Sequence, residues 1–460
     1  MDETLEEKRK LPHWRRILFW FVIAAMVLLA GVMLGSYEMG RRLGSEIVKI
    51  SESGEPLTFS GVANANSAQI LANEDAGVYY VEALGNIGPA SLPNLTRIHS
   101  FYRQNMASLP AKQFPSDLRD SVSQNLSAVA GIFEKLDKAA GLPLSRFDIG
   151  IINGVEVFGT RIQRMKTVVL LLSLRTLDLI LQGRDDDAAN SVFSLLKMLR
   201  IFDFHPTLVV YSVKAGFLGL ACEDIRLLLE RGNASAELLS KLEKTLSEVV
   251  GADVLEKVFL AERVYQTEIG RNLVPKKIAS RFLEDPAPDI PERLGLPGSF
   301  VGRLRLRQKA GHYFRDMARI VTASRRPWPG PLEEIFDRMY KSTKKPGKLV
   351  TSMALFTRLT AELLVAVRCT KLAVATELYR GHEGEGQLPD TLDALVPAYF
   401  DQVPLDTFTG EQLLYSRDEE SYIIYSTGTN RVDDGGSIRP EEGEKAPLDR
   451  GLRIRLEVVK

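Results

Sequence analysis

The chain is poor in cysteine: it has two, Cys222 and Cys369, among 460 residues. Two thiols exclude a scaffold built on disulfides and a zinc site made of four thiolates. Both cysteines lie in apolar stretches with helical patterning, which leaves two interpretations open. They pair if they are adjacent in space outside the cytoplasm, or they are small buried hydrophobic residues.

Histidine and the common catalytic motifs are also scarce. The five histidines are isolated from one another, and the chain has no His-Glu-x-x-His pair, no glycine-rich phosphate loop and no Gly-x-Ser-x-Gly turn. We therefore predict no catalytic residue, no cofactor and no cofactor-binding residue, and we expect the protein not to be an enzyme.

An excess of one charge sign is absent too, because Lys and Arg together number 59, as do Asp and Glu. Without a basic field the chain lacks the electrostatic footprint of a nucleic-acid-binding protein, so nucleic acid is not a predicted partner. Apolar residues make up 45% and charged residues 26%, which excludes a disordered chain. At about 150 residues per domain, the length indicates two or three domains.

One long hydrophobic run is present, and it lies near the amino terminus. Ile17–Leu34 holds eighteen residues without a charge. As a helix it is about 27 Å long, close to the hydrocarbon thickness of a bilayer. Trp14, Trp20 and Tyr37 lie at its two ends, as interfacial anchors do. The sequence therefore predicts a transmembrane helix, and with it the lipid bilayer as a binding partner.

The basic residues around this run set its predicted orientation. Five precede it and three follow it: Lys8, Arg9, Lys10, Arg15 and Arg16, then Arg41, Arg42 and Lys49. This excess predicts a cytoplasmic amino terminus and a single pass through the inner membrane. The bulk of the chain is then extracytoplasmic, in the periplasm. A cleaved signal peptide is the alternative interpretation.

The remaining chain is predicted to be mainly α, in segments that differ in composition. They are a cytoplasmic tail at 1–16, the transmembrane helix at 17–37, a stalk at 38–66, a helical-hairpin domain at 67–270, a proline-rich and basic connector with helices at 271–350, a long helix with a small α+β unit at 351–440, and a carboxy-terminal extension at 441–460.

The clearest helical hairpin is predicted over 161–204. Its first helix is apolar nearly all round, and Gly183 ends it. Asp185, Asp186 and Asp187 follow, where the start of the next helix favours negative charge and capping acceptors. The pattern recurs over 208–249 without a strict 34-residue period. Tetratricopeptide-like repeats and an irregular helical bundle both stay open.

A different pattern follows a helix predicted over 352–379. Residues 413–415 and 421–426 have the composition of two short strands joined by a charged turn, which predicts a β-hairpin packed on the preceding helix. The motifs of this region are Gln387-Leu388-Pro389, Val403-Pro404-Leu405-Asp406-Thr407-Phe408-Thr409-Gly410, Tyr422-Ile423-Ile424-Tyr425-Ser426-Thr427-Gly428 and Asp433-Asp434-Gly435-Gly436.

On these motifs, residues from about 373 to 436 resemble the carboxy-terminal region of the major pseudopilins of type II secretion. Thr407 stands where that family has proline, Phe408 replaces its tryptophan, and the amino terminus lacks the prepilin signal. The resemblance implies a calcium-binding loop, for which Asn430, Asp433 and Asp434 supply oxygen atoms. A solvated turn is the alternative interpretation, and no other metal site is predicted.

The whole layout is similar to a group of uncharacterised bacterial envelope proteins with a single anchor and a helical body, a likeness that implies no activity. We predict a non-enzymatic interaction or scaffold module with unidentified protein partners. One alternative is an accessory component of a type II secretion or pilus-like machine. Another is an enzyme whose site is assembled from residues distant in sequence.

Overall fold

The structure is a computed structural model that describes residues 38, 41, 44–58, 61–62, 74–87, 95–108, 114–144, 147, 155–251, 253–270, 313–326, 330–342, 348–438 and 449–456. These residues are mainly helical, with a small three-stranded antiparallel sheet near the carboxy terminus. The predicted transmembrane segment Ile17–Leu34 lies outside them. Among the helices that are described, none has the length and hydropathy of a membrane span.

The labelled helices follow in chain order. They are α1 (Ala76–Gly85), α2 (Leu95–Ser108), α3 (Ser116–Ala128), α4 (Ala130–Ala140), α5 (Val155–Leu181), α6 (Asp185–Met198), α7 (Leu208–Arg231), α8 (Ala236–Val249), α9 (Val254–Gly270), α10 (Gly330–Ser342) and α11 (Lys348–Gly381). The strands are β1 (Leu414–Arg417), β2 (Ser421–Ser426) and β3 (Arg450–Arg455). Short 3-10 turns cover Leu199–Phe204, Leu392–Leu395 and Gly428–Asn430.

The chain divides into two compact units. The first comprises residues 1–58 and 263–318, and the second comprises residues 59–262 and 319–460. In the first unit the buried guanidinium of Arg263 forms an ion pair with Glu55 at 2.6 Å. The second unit contains most of the predicted helical-hairpin domain together with the predicted carboxy-terminal α+β unit.

The hairpin predicted over 161–204 is present as α5 and α6. A connection of three residues joins them, and Gly183 adopts a positive φ of 69° there, a backbone conformation that glycine tolerates best. Helix α5 buries Leu171, Leu172 and Leu177, as expected for a helix that is apolar nearly all round. Because α6 packs along α5, the apolar faces of the two helices cover each other.

Successive helices stack on this hairpin. Helix α7 packs on α5 and α6, α8 packs on α6, and α11 packs on both α7 and α8. On the other side α4 packs on α6, and α2 packs on α5. These contacts bury the apolar faces of the helices against one another and form the core of the second unit.

The three acids at the start of α6 do not cap that helix. Its first turn contains them, but the N-cap position is held by Arg184 without a capping hydrogen bond from its side chain. Instead Asp185 and Asp186 accept hydrogen bonds of 2.7 Å from the backbone N–H groups of Asn233 and Ser235. The first backbone N–H groups of a helix have no acceptor within the helix, and the neighbouring loop shares this need. Asp185 and Asp186 supply acceptors to the loop before α8. The predicted negative charge at the start of α6 is therefore confirmed, whereas the predicted capping role is wrong, because Asp185 and Asp186 bind the loop before α8.

The sheet has the order β1–β2–β3, and both strand pairs are antiparallel. β2 is buried along its whole length, and the sheet packs on α11. The two predicted strands are confirmed as β1 and β2. The third strand, β3, lies in the segment that was predicted only as a carboxy-terminal extension. It was not predicted as a strand because its buried residues are separated by the arginines Arg450, Arg453 and Arg455.

Candidate functional site

The predicted calcium ligands lie in the loop after β2, and their oxygen atoms are engaged by neighbouring groups. The Asn430 side-chain oxygen accepts from the Val432 amide at 3.3 Å, and the Asn430 amide donates to Asp434 at 3.1 Å. Asp433 accepts from the Tyr425 hydroxyl at 3.1 Å. Calcium requires six to eight oxygen ligands, and these contacts fit a hydrogen-bonded turn better than a cation site.

Asp449, which the sequence analysis did not single out, completes this turn. Its buried carboxylate accepts from the backbone N–H groups of Asp434 at 3.4 Å and Gly436 at 2.9 Å. Burial raises the pKa of Asp449, and the negative charges of Asp434 and Asp433 raise it further. Within the described part of the chain, no three His, Cys, Asp or Glu side chains are grouped as a metal site.

A buried polar network joins three helices of the second unit. Ser173 on α5 lies between His99 on α2, whose Nε2 is 2.8 Å from the Ser173 Oγ, and Asp224 on α7, to which Ser173 donates at 2.9 Å. Arg103 on α2 donates to the Ser173 Oγ at 2.9 Å and forms an ion pair with Asp224. Contacts between sequence positions up to 121 residues apart thus hold α2, α5 and α7 together.

Burial controls the ionisation of this network. The pKa of His99 is lowered to about 4, first by desolvation and then by the positive charge of Arg103, so the imidazole is neutral. The pKa of Asp224 is raised to about 6 by desolvation, against the opposing effect of Arg103. The second carboxylate oxygen of Asp224 is buried without a hydrogen-bond partner.

A second buried carboxylate, Asp178 on α5, also contacts α2. Asp178 accepts from the Tyr102 hydroxyl at 2.9 Å and from the Gln182 amide at 2.7 Å. Burial raises the pKa values of both Asp178 and Tyr102. Asp178 on α5 therefore faces helix α2 rather than solvent.

The network contains serine, histidine and aspartate, but not in the arrangement of a hydrolase. In a catalytic triad the histidine accepts the serine proton, and the carboxylate holds the other nitrogen of the histidine. Here Ser173 directs its own proton to Asp224, and its oxygen accepts from Arg103 at 2.9 Å, so the hydroxyl is engaged both as a donor and as an acceptor. The arrangement can fix the relative positions of helices, and it has no nucleophile prepared for attack.

Both cysteines are buried free thiols on helices that pack together, α7 and α11. Burial raises the pKa of Cys222 to about 12, and burial likewise raises the pKa of Cys369. A thiol with a raised pKa is a poor nucleophile and a poor metal ligand. The sequence left open whether the two cysteines pair or are small buried residues, and in the structure they are small buried residues.

A surface groove lies where the carboxy-terminal unit meets the hairpins. It has a volume of about 510 Å³ and is formed by the loop between α7 and α8 and the last turn of α11. Its polar lining includes Asn233, Ser235, Glu377, Arg380 and His382. Glu377 is neutralised by Arg380 at 2.5 Å and accepts from the Tyr422 hydroxyl at 2.9 Å. The groove is thus lined by the helical hairpins and by the carboxy-terminal α+β unit, which both belong to the second unit.

The residues of the buried network were not predicted from the sequence, although one signal was available. Asp224 interrupts a long apolar stretch of α7, as Lys214 does, and a buried charge requires a partner from elsewhere in the chain. The identity of the partners could not be derived, since His99 and Arg103 lie on a distant helix with ordinary amphipathic composition.

Comparison of the chain with known protein families, with curated proteins and with solved structures finds no match.

Proposed function

We propose that this protein is a non-enzymatic interaction module of the bacterial envelope, anchored by Ile17–Leu34 with its amino terminus in the cytoplasm. The observation that carries the proposal is a stack of helices closed at one end by the small sheet. Helix α6 packs on α5, α7 packs on both, α8 packs on α6, α11 packs on α7 and α8, and β2 and β3 pack on α11.

Helices α7 and α8 cover the α5–α6 hairpin, as the next pair of helices covers a hairpin in helical repeat proteins. In such proteins a terminal unit caps the last repeat. The carboxy-terminal unit acts as that cap. Strand β3 packs on both α11 and α7, and the backbone N–H of Arg455 donates to Glu230 of α7 at 3.3 Å. The proposal therefore favours the tetratricopeptide-like interpretation over an irregular bundle.

The buried network supports a structural function rather than catalysis. Its serine and carboxylates are enclosed between helices, where they stabilise the stack and do not meet a substrate. The polar groove beside the cap and the exposed apolar side chains Phe101 and Val209 on the stack offer surface for a protein partner.

A second candidate function is supported by the carboxy-terminal unit. A long helix followed by an antiparallel sheet is the arrangement that the pseudopilin resemblance implies, and α11 with β1 to β3 has this order. The accessory component of a type II secretion or pilus-like machine therefore stays as the alternative proposal.

Site-specific photo-crosslinking in cells separates the two proposals. A photoreactive amino acid is placed at Phe101 or Val209 on the helical stack, and at Leu405 or Val432 on the carboxy-terminal unit, all of which are exposed. The interaction-module proposal predicts discrete adducts with another envelope protein from the first pair. Adducts with pseudopilin or secretion-channel proteins from the second pair alone support the alternative, and no adduct at any position contradicts both.

The anchor is tested independently of the partner. We expect the full-length protein to stay in the membrane pellet after alkaline extraction and to be digested by protease added to spheroplasts. A variant with charged residues in Ile17–Leu34 is the control and should be lost from the pellet. A mature protein whose amino terminus begins after Leu34 would contradict the anchor.

A further inference from the structure

A cavity of about 190 Å³ lies in the second unit, away from the buried network. It is formed by the 3-10 turn after α6, the first half of α7, the end of α8 and the start of α9. Its apolar lining includes Leu144, Phe204, Val249, Val254 and Val258. Charged side chains also reach it, and they carry the inference.

Lys214 is a buried cation at this cavity. Its ammonium group forms an ion pair with Asp203 at 2.5 Å and donates to the backbone oxygen of Val249 at 2.7 Å. A lysine ammonium has three N–H donors, so two acceptors leave one donor to spare. The Lys214 side chain is only 1% exposed, whereas that of Asp203 is 38% exposed.

Tyr211 contributes a hydroxyl without a partner. The residue is 2% exposed, and its oxygen is buried with no hydrogen bond. Its ring is fixed edge-on against Phe356 at a centroid distance of 5.7 Å. Desolvation raises the pKa of Tyr211, and the negative charge of Asp203 adds to this, so the hydroxyl stays a neutral donor. An unpaired buried hydroxyl is costly, and a ligand acceptor would satisfy it.

Arg200 supplies the third donor group. It lines the cavity, and within the described residues it makes no hydrogen bond and no ion pair. The three carboxylates that line the cavity are each paired with a lysine: Asp203 with Lys214, Glu248 with Lys197, and Asp253 with Lys257. The lining thus holds three cations, Arg200, Lys214 and Lys257, and three carboxylates, and Arg200 is the cation among them without an ion pair in the described part of the chain.

We propose that this cavity binds a small organic carboxylate. The planar guanidinium of Arg200 matches a carboxylate with two parallel hydrogen bonds, and the Tyr211 hydroxyl and the spare donor of Lys214 add to them. The apolar wall then receives a short aliphatic chain. Since an apolar cavity of about 150 Å³ takes up benzene, a ligand of roughly six to eight non-hydrogen atoms fits.

Isothermal titration calorimetry of the full-length protein in detergent tests this proposal. The probes are straight-chain monocarboxylates from acetate to octanoate, with inorganic phosphate and butylammonium as comparisons. We expect saturable binding on the order of 0.1 to 1 mM that is strongest for butyrate to hexanoate. The absence of saturable binding, or binding of phosphate as tight as that of butyrate, would overturn the proposal.

Two substitutions connect binding to the named groups. Arg200→Gln and Tyr211→Phe should each weaken hexanoate binding by about tenfold or more, because each removes a donor to a charged acceptor. Arg184→Gln is the matched control, since Arg184 is exposed and pairs only locally with Asp187, and it should leave the affinity unchanged. Equal affinity of the Arg200→Gln variant and the unmodified protein would contradict the proposed site.

Loss of folding cannot imitate this result. Tyr211→Phe removes only a hydroxyl without a partner, so the thermal midpoint of the free protein should be unchanged or raised. Saturating hexanoate should raise the midpoint of the unmodified protein and have a smaller effect on the variant. An equal upward shift in both proteins would exclude a role of the hydroxyl in binding.

Discussion

The two halves of α7 carry buried charges in contrasting surroundings. Asp224 in the second half is enclosed by Ser173 and Arg103, which satisfy one of its oxygens. Lys214 in the first half pairs with the partly exposed Asp203 and borders a cavity with unpaired donors. Burial of a charge is therefore not by itself the mark of a binding site. The two halves differ in their surroundings: Lys214 borders a cavity of about 190 Å³, whereas Asp224 is held between side chains of α2 and α5.

The largest expected effect is that of Asp224→Ala. The substitution leaves the Arg103 guanidinium, whose side chain is 18% exposed, without its anion and leaves Ser173 without an acceptor. Breaking a buried ion pair in this way costs about 3 to 5 kcal/mol. We expect the free energy of unfolding to fall by that amount, measured by urea denaturation followed by circular dichroism.

Asp224→Asn serves as the comparison, because its amide oxygen still accepts from Ser173 while the charge is lost. Its destabilisation should be smaller than that of Asp224→Ala. If Asp224→Ala lowers the free energy of unfolding by less than about 1 kcal/mol, the second half of α7 does not depend on a closed network, and the contrast between the halves fails.

The buried network around Asp224 should make the stability of the protein depend on pH. His99 has a folded pKa of about 4, below its ordinary value of 6.5, so its contribution is present above pH 6.5 and lost as the pH falls toward 4. Asp224 has a folded pKa of about 6, above its ordinary 3.8, so its contribution is present near pH 4 and lost as the pH rises through 6. The two effects oppose each other, and each amounts to about 3 kcal/mol.

Single substitutions separate the two titrations. Relative to the unmodified protein, His99→Gln should gain stability as the pH is lowered from 6.5 to 4, because only Asp224 still titrates in the network. Asp224→Asn should lose stability over the same interval. Urea midpoints at pH 4.5 and 6.5 measure both trends, and a common sign for the two variants would contradict the assigned pKa shifts.

Much of this contrast could not be predicted from the sequence. Local periodicity was sufficient to predict helices α5 to α8 and α11 and strands β1 and β2, because the spacing of apolar residues and the glycines that end a helix are local signals. Lys214 and Asp224 were visible as charges within an apolar stretch. Their partners were not, since Arg103 is 121 positions from Asp224 and the pairing depends on how the helices stack.

The errors have the same origin. Asp185 and Asp186 have the position of capping residues for α6, but tertiary packing brings the amides of the next loop within 2.7 Å of them. Strand β3 was missed because its buried residues, Leu452 and Ile454, make too short an alternation to stand out among arginines. In both cases the outcome depends on another segment of the chain: the loop before α8 for the two acids, and β2 for the strand β3 that pairs with it.

Glycines at the two halves of α7 give the next prediction. A Cβ on Gly232, just after the second half, would lie 2.8 Å from the Asp185 carboxylate and 2.9 Å from the Leu228 backbone oxygen. Gly232→Ala should therefore destabilise the protein by about 1 to 3 kcal/mol. Gly216 in the first half has no atom within 4 Å of such a Cβ.

Gly216→Ala is the matched control for this substitution. Because alanine favours the helix and meets no neighbour, it should stabilise the protein by about 0.5 to 1 kcal/mol. Urea midpoints of the two variants make the comparison directly. A stabilising Gly232→Ala would show that the loop after α7 is not held close to α6.

The smallest effect on stability is expected for Lys214→Met. Methionine keeps most of the apolar stem and removes a buried charge, while Asp203 is exposed enough to be solvated again. The backbone oxygen of Val249 loses a donor, and we expect a net change within about 1 kcal/mol of zero in the urea-derived free energy of unfolding. Under the carboxylate proposal, the same substitution weakens hexanoate binding. A loss of stability as large as that of Asp224→Ala would instead make Lys214 part of a closed network, and the two halves of α7 would be alike.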